Sequence, residues 1–173
     1  MLEACKFYRM AAELGHVNSQ FRMGTFLLQG DPVPRDIKQA IHWFCKAGEG
    51  GSGEAQFILA GNYEFGMLGT QINSKEALSR YRKAAELGIP EAQHFIGEFL
   101  LKNQDCQQAR IEGLAWLHLA SANGYKTEDP LLTTIESILP PLQGSPGEMR
   151  AARELAATLE IRADRKPSDT QMP

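Results

Sequence analysis

The chain has 173 residues, 43% of them hydrophobic and 23% charged, the balance of a soluble globular protein with the length of roughly one domain. Eighteen Lys and Arg against twenty-one Asp and Glu leave a net charge of −3, which lacks the basic excess of a nucleic-acid or membrane-surface binder. Cys5, Cys45 and Cys106 are odd in number and show no CxxC spacing, so they read as free thiols and suggest neither a disulfide framework nor a zinc site.

No apolar run approaches the roughly 18 residues of a membrane-spanning helix, and Glu3, Lys6 and Arg9 stand where a signal peptide would be apolar. Along the chain the segments ACKFYRMAAELG, AIHWFCKAGEGG, ALSRYRKAAELG and GLAWLHLASANG begin at Ala4, Ala40, Ala77 and Gly113, spaced 36 or 37 residues apart. A glycine closes each of them (Gly15, Gly51, Gly88, Gly124), and Gln20, Gln56 and Gln93 recur five residues later. Each unit reads as two helices. Ala4, Phe7, Tyr8, Ala11 and Ala12 lie at i, i+3, i+4, i+7 and i+8 on one helical stripe, and Gln20, Met23, Gly24, Leu27 and Leu28 repeat that spacing in the next helix. The glycines are helix stops, because glycine accepts the left-handed conformation that ends a helix. Asp36, Asn73 with Glu76, and Ser145 with Pro146 and Glu148 read as helix starts.

These signals predict helices near residues 2–14, 18–29, 36–48, 54–65, 74–87, 90–102, 106–123, 129–139 and 146–163, about nine in all, with no competing strand pattern. The expected architecture is all-α, a right-handed α-solenoid of antiparallel helix pairs forming one domain over 1–164. Capping helices are expected over 129–164, followed by a polar tail at 165–173. Gly24, Ala60 and Gly97 share an offset and are expected where paired helices cross, so that leucine at Gly97 overpacks the crossing while alanine there is mild.

The pattern resembles the Sel-one-like repeat family, a relative of the tetratricopeptide repeat. It is visible as Ala77, Tyr81, Ala84, Ala85, Glu86, Gly88, Ala92, Gln93 and Gly97, and the match covers roughly residues 4–125. Departures are Arg80 in place of the first aromatic, Asn103 in place of a glycine, and loss of the pattern after Gly124. The resemblance implies a solenoid that binds proteins and has no catalysis of its own, often serving as an adaptor in bacterial signalling, envelope or host-interaction settings. It also implies that the first helix of each repeat lines a concave binding face. That places partner-binding residues at Asn18, Phe21 and Thr25, at Glu54, Phe57, Gly61 and Glu64, and at Glu91, His94, Glu98 and Lys102, with Phe21, Phe57 and His94 forming a ladder one repeat apart.

The motifs that would argue for other chemistry are weak. Gly48, Gly50 and Gly53 spell GxGxxG but follow a helix and fill an inter-helix turn, whereas a phosphate cradle follows a strand. Glu91 and His94 have the spacing used by di-iron bundles, but the second such pair and two further glutamates are missing, so they read as a solvated helix face. His16, His42, His94 and His118 sit at four different offsets, which does not build a metal cluster. The expected function is therefore a non-enzymatic interaction scaffold that binds a protein or peptide, without cofactor, metal, nucleic acid or membrane insertion. An RNA-binding helical array is the alternative, disfavoured by the acidic Glu54, Glu64, Glu91 and Glu98, and an enzyme comes last. Residues Glu3–Leu14 match the second helix of a repeat with no first helix before it, leaving Leu2, Phe7, Tyr8 and Met10 without cover. The expectations are a truncated chain, packing of this helix on a partner, or homodimerisation through it. The expected compartment is cytoplasmic, or periplasmic or secreted if the N-terminus is a truncation.

Overall fold

A computed structural model describes residues 2–103, 106–125 and 146–164. Among them are eight α-helices: α1 (Leu2–Glu13), α2 (Val17–Gln29), α3 (Ile37–Glu49), α4 (Gly53–Phe65), α5 (Ser74–Glu86), α6 (Pro90–Asn103), α7 (Gln107–Ala122) and α8 (Pro146–Asp164). A 3₁₀ turn, Met67–Gly69, follows α4, and no strand occurs among the described residues. The expected helix at 129–139, the Ser145 cap and the tail at 165–173 lie outside the described residues.

The helix ends show why the repeat needs its fixed residues. Gly15, Gly51, Gly88 and Gly124 have φ of 94°, 95°, 86° and 86°, the left-handed region that a side chain would strain. Behind three of them the chain closes identically, with the N–H groups of His16, Ser52 and Tyr125 donating to the carbonyls of Ala11, Ala47 and Ala120 at 3.0, 2.8 and 2.9 Å. Helices then restart on side-chain caps. Asp36 Oδ1 accepts from the Gln39 N–H at 3.0 Å and Asn73 Oδ1 from the Glu76 N–H at 3.1 Å, both as the sequence indicates. His16 Nδ1 and Ser52 Oγ cap α2 and α4 in the same manner.

The recurring glutamine ties one repeat to the next. Carbonyls in the last turn of a helix lack an intrahelical donor. Gln20 Nε2 donates to the Ala12 carbonyl at 3.1 Å, and Gln56 Nε2 to the Gly48 carbonyl at 2.9 Å. The free end of the amide is also used, since Gln56 Oε1 accepts from Arg80 at 3.2 Å and Gln93 Oε1 from Asn123 at 3.0 Å.

The chain divides into two compact units, Met1–Leu87 and Gly88–Pro173. In each, helices pack on their neighbours in sequence as antiparallel pairs, the construction of an α-solenoid. The first unit centres on Met23, Leu27, Ala40, Trp43, Phe44, Ala47, Ala55 and Leu59. In the second, α8 lays Ala152 and Ala156 against Leu114 and Ala115 of α7, covering its outer face. Gly24 and Gly97 are close-packing positions, and Ala60 at the same offset is fully buried. A Cβ on Gly24 would lie 2.7 Å from the Phe44 ring. At Gly97 it would lie 2.7 Å from Leu117 Cγ and 2.9 Å from the Gly113 carbonyl oxygen. Backbone meets backbone at this second crossing, so even the single methyl of alanine collides there, contrary to the mild effect expected from helix propensity alone.

Unlike the buried glutamines, Asn62 is buried without hydrogen bonds for its side chain. It is 1% exposed, and neither its Oδ1 nor its Nδ2 finds a partner. Phe26 and Phe99 occupy the corresponding positions one repeat away.

Candidate functional site

In the first unit the candidate partner-binding residues form a row along α2 and another along α4. Asn18 and Glu54 are exposed in the first turns of the two helices. Phe21 and Phe57 are half-buried, each leaning on an aromatic ring of the following helix. Phe21 lies 5.7 Å from Phe44 at 54°, and Phe57 lies 5.5 Å from Tyr81 at 67°. Such tilted pairs favour the ring quadrupoles and hold both rings in place. Thr25 Oγ1 donates to the Phe21 carbonyl at 3.1 Å, so its hydroxyl serves α2 itself. Glu64 accepts a 2.6 Å hydrogen bond from the Tyr81 hydroxyl, over the small residue Gly61. Burial, and then this bond to a carboxylate, push the Tyr81 phenol well above its ordinary range.

In the second unit Glu91, His94, Glu98 and Lys102 follow one another along one face of α6. Glu91 and Lys102 are exposed, and Lys102 Nζ lies 3.3 Å from Glu98. The reading of Glu91 and His94 as a solvated face holds for Glu91 only. His94 is 7% exposed because Tyr125, carried over α6 by the turn at Gly124, stacks on the imidazole at 4.4 Å and 21°. Nothing in the spacing of α6 signals this cover, since Tyr125 lies beyond the end of α7. The nearest carboxylate, Glu98, is 3.9 Å from His94 Nε2.

Burial lowers the His94 pKa below its ordinary value; Glu98 opposes that shift and Lys102 adds to it. The unfolded chain therefore binds this proton more readily than the folded one. The associated stability is present above an unfolded-state pKa of about 6.5 and is lost as pH falls through that value towards the lower folded one. Thermal melting from about pH 7.5 to pH 5 should show the decline, and His94→Phe, which installs the residue found at Phe21 and Phe57, should flatten it. A variant that declines as steeply as the parent would assign the pH response to other groups.

Among the described residues no group of three His, Cys, Asp or Glu is arranged to hold a metal ion, and no helix is long and apolar enough to cross a membrane. On α1, Phe7 and Met10 are exposed, as is Leu14 just past its end.

Comparison with known proteins adds the lineage of this arrangement. The Sel1 repeat model matches residues 1–16, 17–52, 53–89 and 90–125, beginning each full repeat at the first helix of a pair. An exopolysaccharide production negative regulator of Rhizobium leguminosarum bv. viciae is 26% identical over 136 residues, covering 71% of this chain and 51% of its own. A chitin synthase regulator of Saccharomyces cerevisiae is 28% identical over 122 residues, 69% of this chain and 18% of its own. This chain thus spans about half the length of the bacterial regulator and much less of the fungal one. A crystal structure of a Sel1 repeat protein from Oxalobacter formigenes is 30% identical, with a TM-score of 0.64 over 70% of this chain and 90% of that one. A protective antigen of uropathogenic Escherichia coli with an SLR fold has a TM-score of 0.55 at 21% identity, covering 99% of this chain and 46% of its own, a likeness of fold alone.

Proposed function

Because the chain belongs to the Sel1 repeat family, we propose that it is a non-catalytic adaptor of bacterial origin that acts by binding a protein partner along its first helices. One observation carries this reading. Asn18, Glu54 and Glu91 occupy the same offset in three successive repeats, and all three are exposed. Packing within the repeat does not require them, and each stands one turn before Phe21, Phe57 or His94. The strip on α2 and α4 therefore offers aromatic edges beside Glu54 and Glu64, and α6 offers Glu91 and Glu98. The exposed carboxylates of Glu54 and Glu91, with the half-buried Glu64 and Glu98 beside anchored rings, suit a partner segment that carries basic and apolar side chains. The relatives named as regulators, of exopolysaccharide production and of chitin synthase, support a regulatory outcome of such binding.

Charge reversal tests the reading. Glu54→Arg with Glu91→Arg should weaken retention of the partner by about tenfold, with only a small fall in melting temperature, since both carboxylates stand exposed in the first turns of α4 and α6 and Glu54 accepts from Ser52 Oγ at 3.1 Å. Unchanged retention would move the binding surface elsewhere.

Self-association through α1 is a second reading, favoured by Phe7 at 70% and Met10 at 60% exposure. Sedimentation across a concentration series should show dimerisation that Phe7→Glu abolishes. Two equally monomeric samples would refute it.

A further inference from the structure

The second repeat departs from its sisters at Arg80, where the first and third pairs carry the buried indoles of Trp43 and Trp116. Instead of filling the space between α3, α4 and α5, the arginine leaves a cleft of about 420 Å³, lined by Cys45, Gly48, Gln56, Arg80, Lys83 and Leu87, with Glu49 and Glu86 also on its walls. The guanidinium is held from three directions. Its Nε donates to Glu76 at 2.8 Å, one Nη donates to Gln56 at 3.2 Å, and its carbon lies 5.2 Å from the centre of the Tyr63 ring. Gln56 is itself fixed on the Gly48 carbonyl. Arg80 has five N–H donors, and those beyond the two just named have no partner among the described residues.

We propose that this cleft takes the side-chain carboxylate of an Asp or Glu on a partner protein, in a segment where a basic residue adjoins the acidic one. A planar guanidinium held by neighbours matches a planar carboxylate through paired N–H donors, and little side-chain freedom remains to be lost on binding. Lys83 lies one helical turn from Arg80 on the same wall and adds a second cation. Glu76 is engaged by Arg80 Nε and Glu49 and Glu86 are exposed, three carboxylates against the two cations, so the cleft opposes a doubly charged phosphate more than a single carboxylate and calls for the basic neighbour in the bound segment. The Cys45 thiol, raised by burial, stays neutral and supplies an uncharged wall. This inference rests on reading the chain as a partner-binding module, and it adds a recognition element on the opposite helices of the pairs.

Cys45 also supplies the assay. In a Cys106→Ser background the remaining thiol, Cys5, is buried, so alkylation by iodoacetamide followed by mass spectrometry reports on the cleft. The probe is the blocked peptide acetyl-AKEKA-amide, with its glutamine twin acetyl-AKQKA-amide as control. The glutamate peptide should slow Cys45 alkylation saturably, and the twin should need about tenfold higher concentration, the loss expected for one charge-assisted hydrogen-bond pair. Arg80→Met should abolish protection in a variant still folded at the assay temperature, although its melting temperature falls with loss of the Glu76, Gln56 and Tyr63 contacts, and Arg80→Gln should do the same should the methionine variant unfold. Equal protection by the two peptides, protection that survives both Arg80 substitutions, inorganic phosphate competing as well as the peptide, or no protection at all would each overturn the assignment. Since the assay contains no partner, its failure leaves the first-helix strip to be judged by its own charge-reversal variants.

Discussion

Replacing Gly97 by alanine is expected to destabilise the second unit by about 1–3 kcal/mol, and leucine there to cost about 3 kcal/mol or more. The contact that decides the sign is not a side chain. A methyl at Gly97 meets the Gly113 carbonyl oxygen at 2.9 Å as well as Leu117 Cγ at 2.7 Å. Leu117 can rotate aside, but the carbonyl belongs to the backbone of α7 and moves only with the helix. A Cβ on Gly113 would likewise lie 3.0 Å from the Gly97 carbonyl oxygen, so the two glycines form one mutual approach of α6 and α7. Against this, the gain in helix propensity from glycine to alanine is about 1 kcal/mol, too little to reverse the collision. Chemical denaturation of Gly97→Ala and Gly97→Leu measures both. An alanine variant as stable as the parent would mean that the helices separate at no cost and that the crossing is looser than its geometry indicates.

The opposite sign is expected at Asn62. Leucine branches at the same atom and has the same number of heavy atoms as asparagine, so Asn62→Leu approximates the side chain with somewhat bulkier methyls while removing an amide that is buried without partners. Leaving such a group unpaired costs about 1–3 kcal/mol, and the substitution should raise the stability of the first unit by a large part of that. Phe26 and Phe99 show that this offset accepts apolar side chains. A leucine variant with a lower denaturation midpoint would show that the amide is satisfied in solution, by an enclosed water or by a bound ligand.

Local features of this fold were legible because each is written in a few adjacent residues. The stop glycines, the Asp36 and Asn73 caps and the small residues at the crossings follow from backbone geometry and spacing, and the structure places them where the pattern indicates. Features that join distant residues were not legible. The repeat marks Gln56 as fixed, but only the structure shows that its amide reaches back to Gly48 and forward to Arg80. Tyr125 covers His94 from more than thirty residues away, turning a side chain that spacing assigns to solvent into a buried one. The cap on α2 was hidden because an imidazole, His16, fills the place that Asp, Asn or Ser takes elsewhere. Of the candidate site, Asn18, Glu54 and Glu91 follow from the family resemblance, and their side chains are exposed. The cleft beside Arg80 was not legible, although the substitution that creates it stands out when the four repeats are aligned.

The most direct test of a first-helix binding surface is site-specific photo-crosslinking in cells of the source organism, with the crosslinker placed in turn at Asn18, Glu54 and Glu91. Matched positions on the second helices, the exposed Lys38 and Lys75, serve for comparison. A first-helix surface predicts one discrete partner, captured from the first three positions and not from the other two. Capture of the same partner only from Lys38 and Lys75, or equally from both sets, would contradict it.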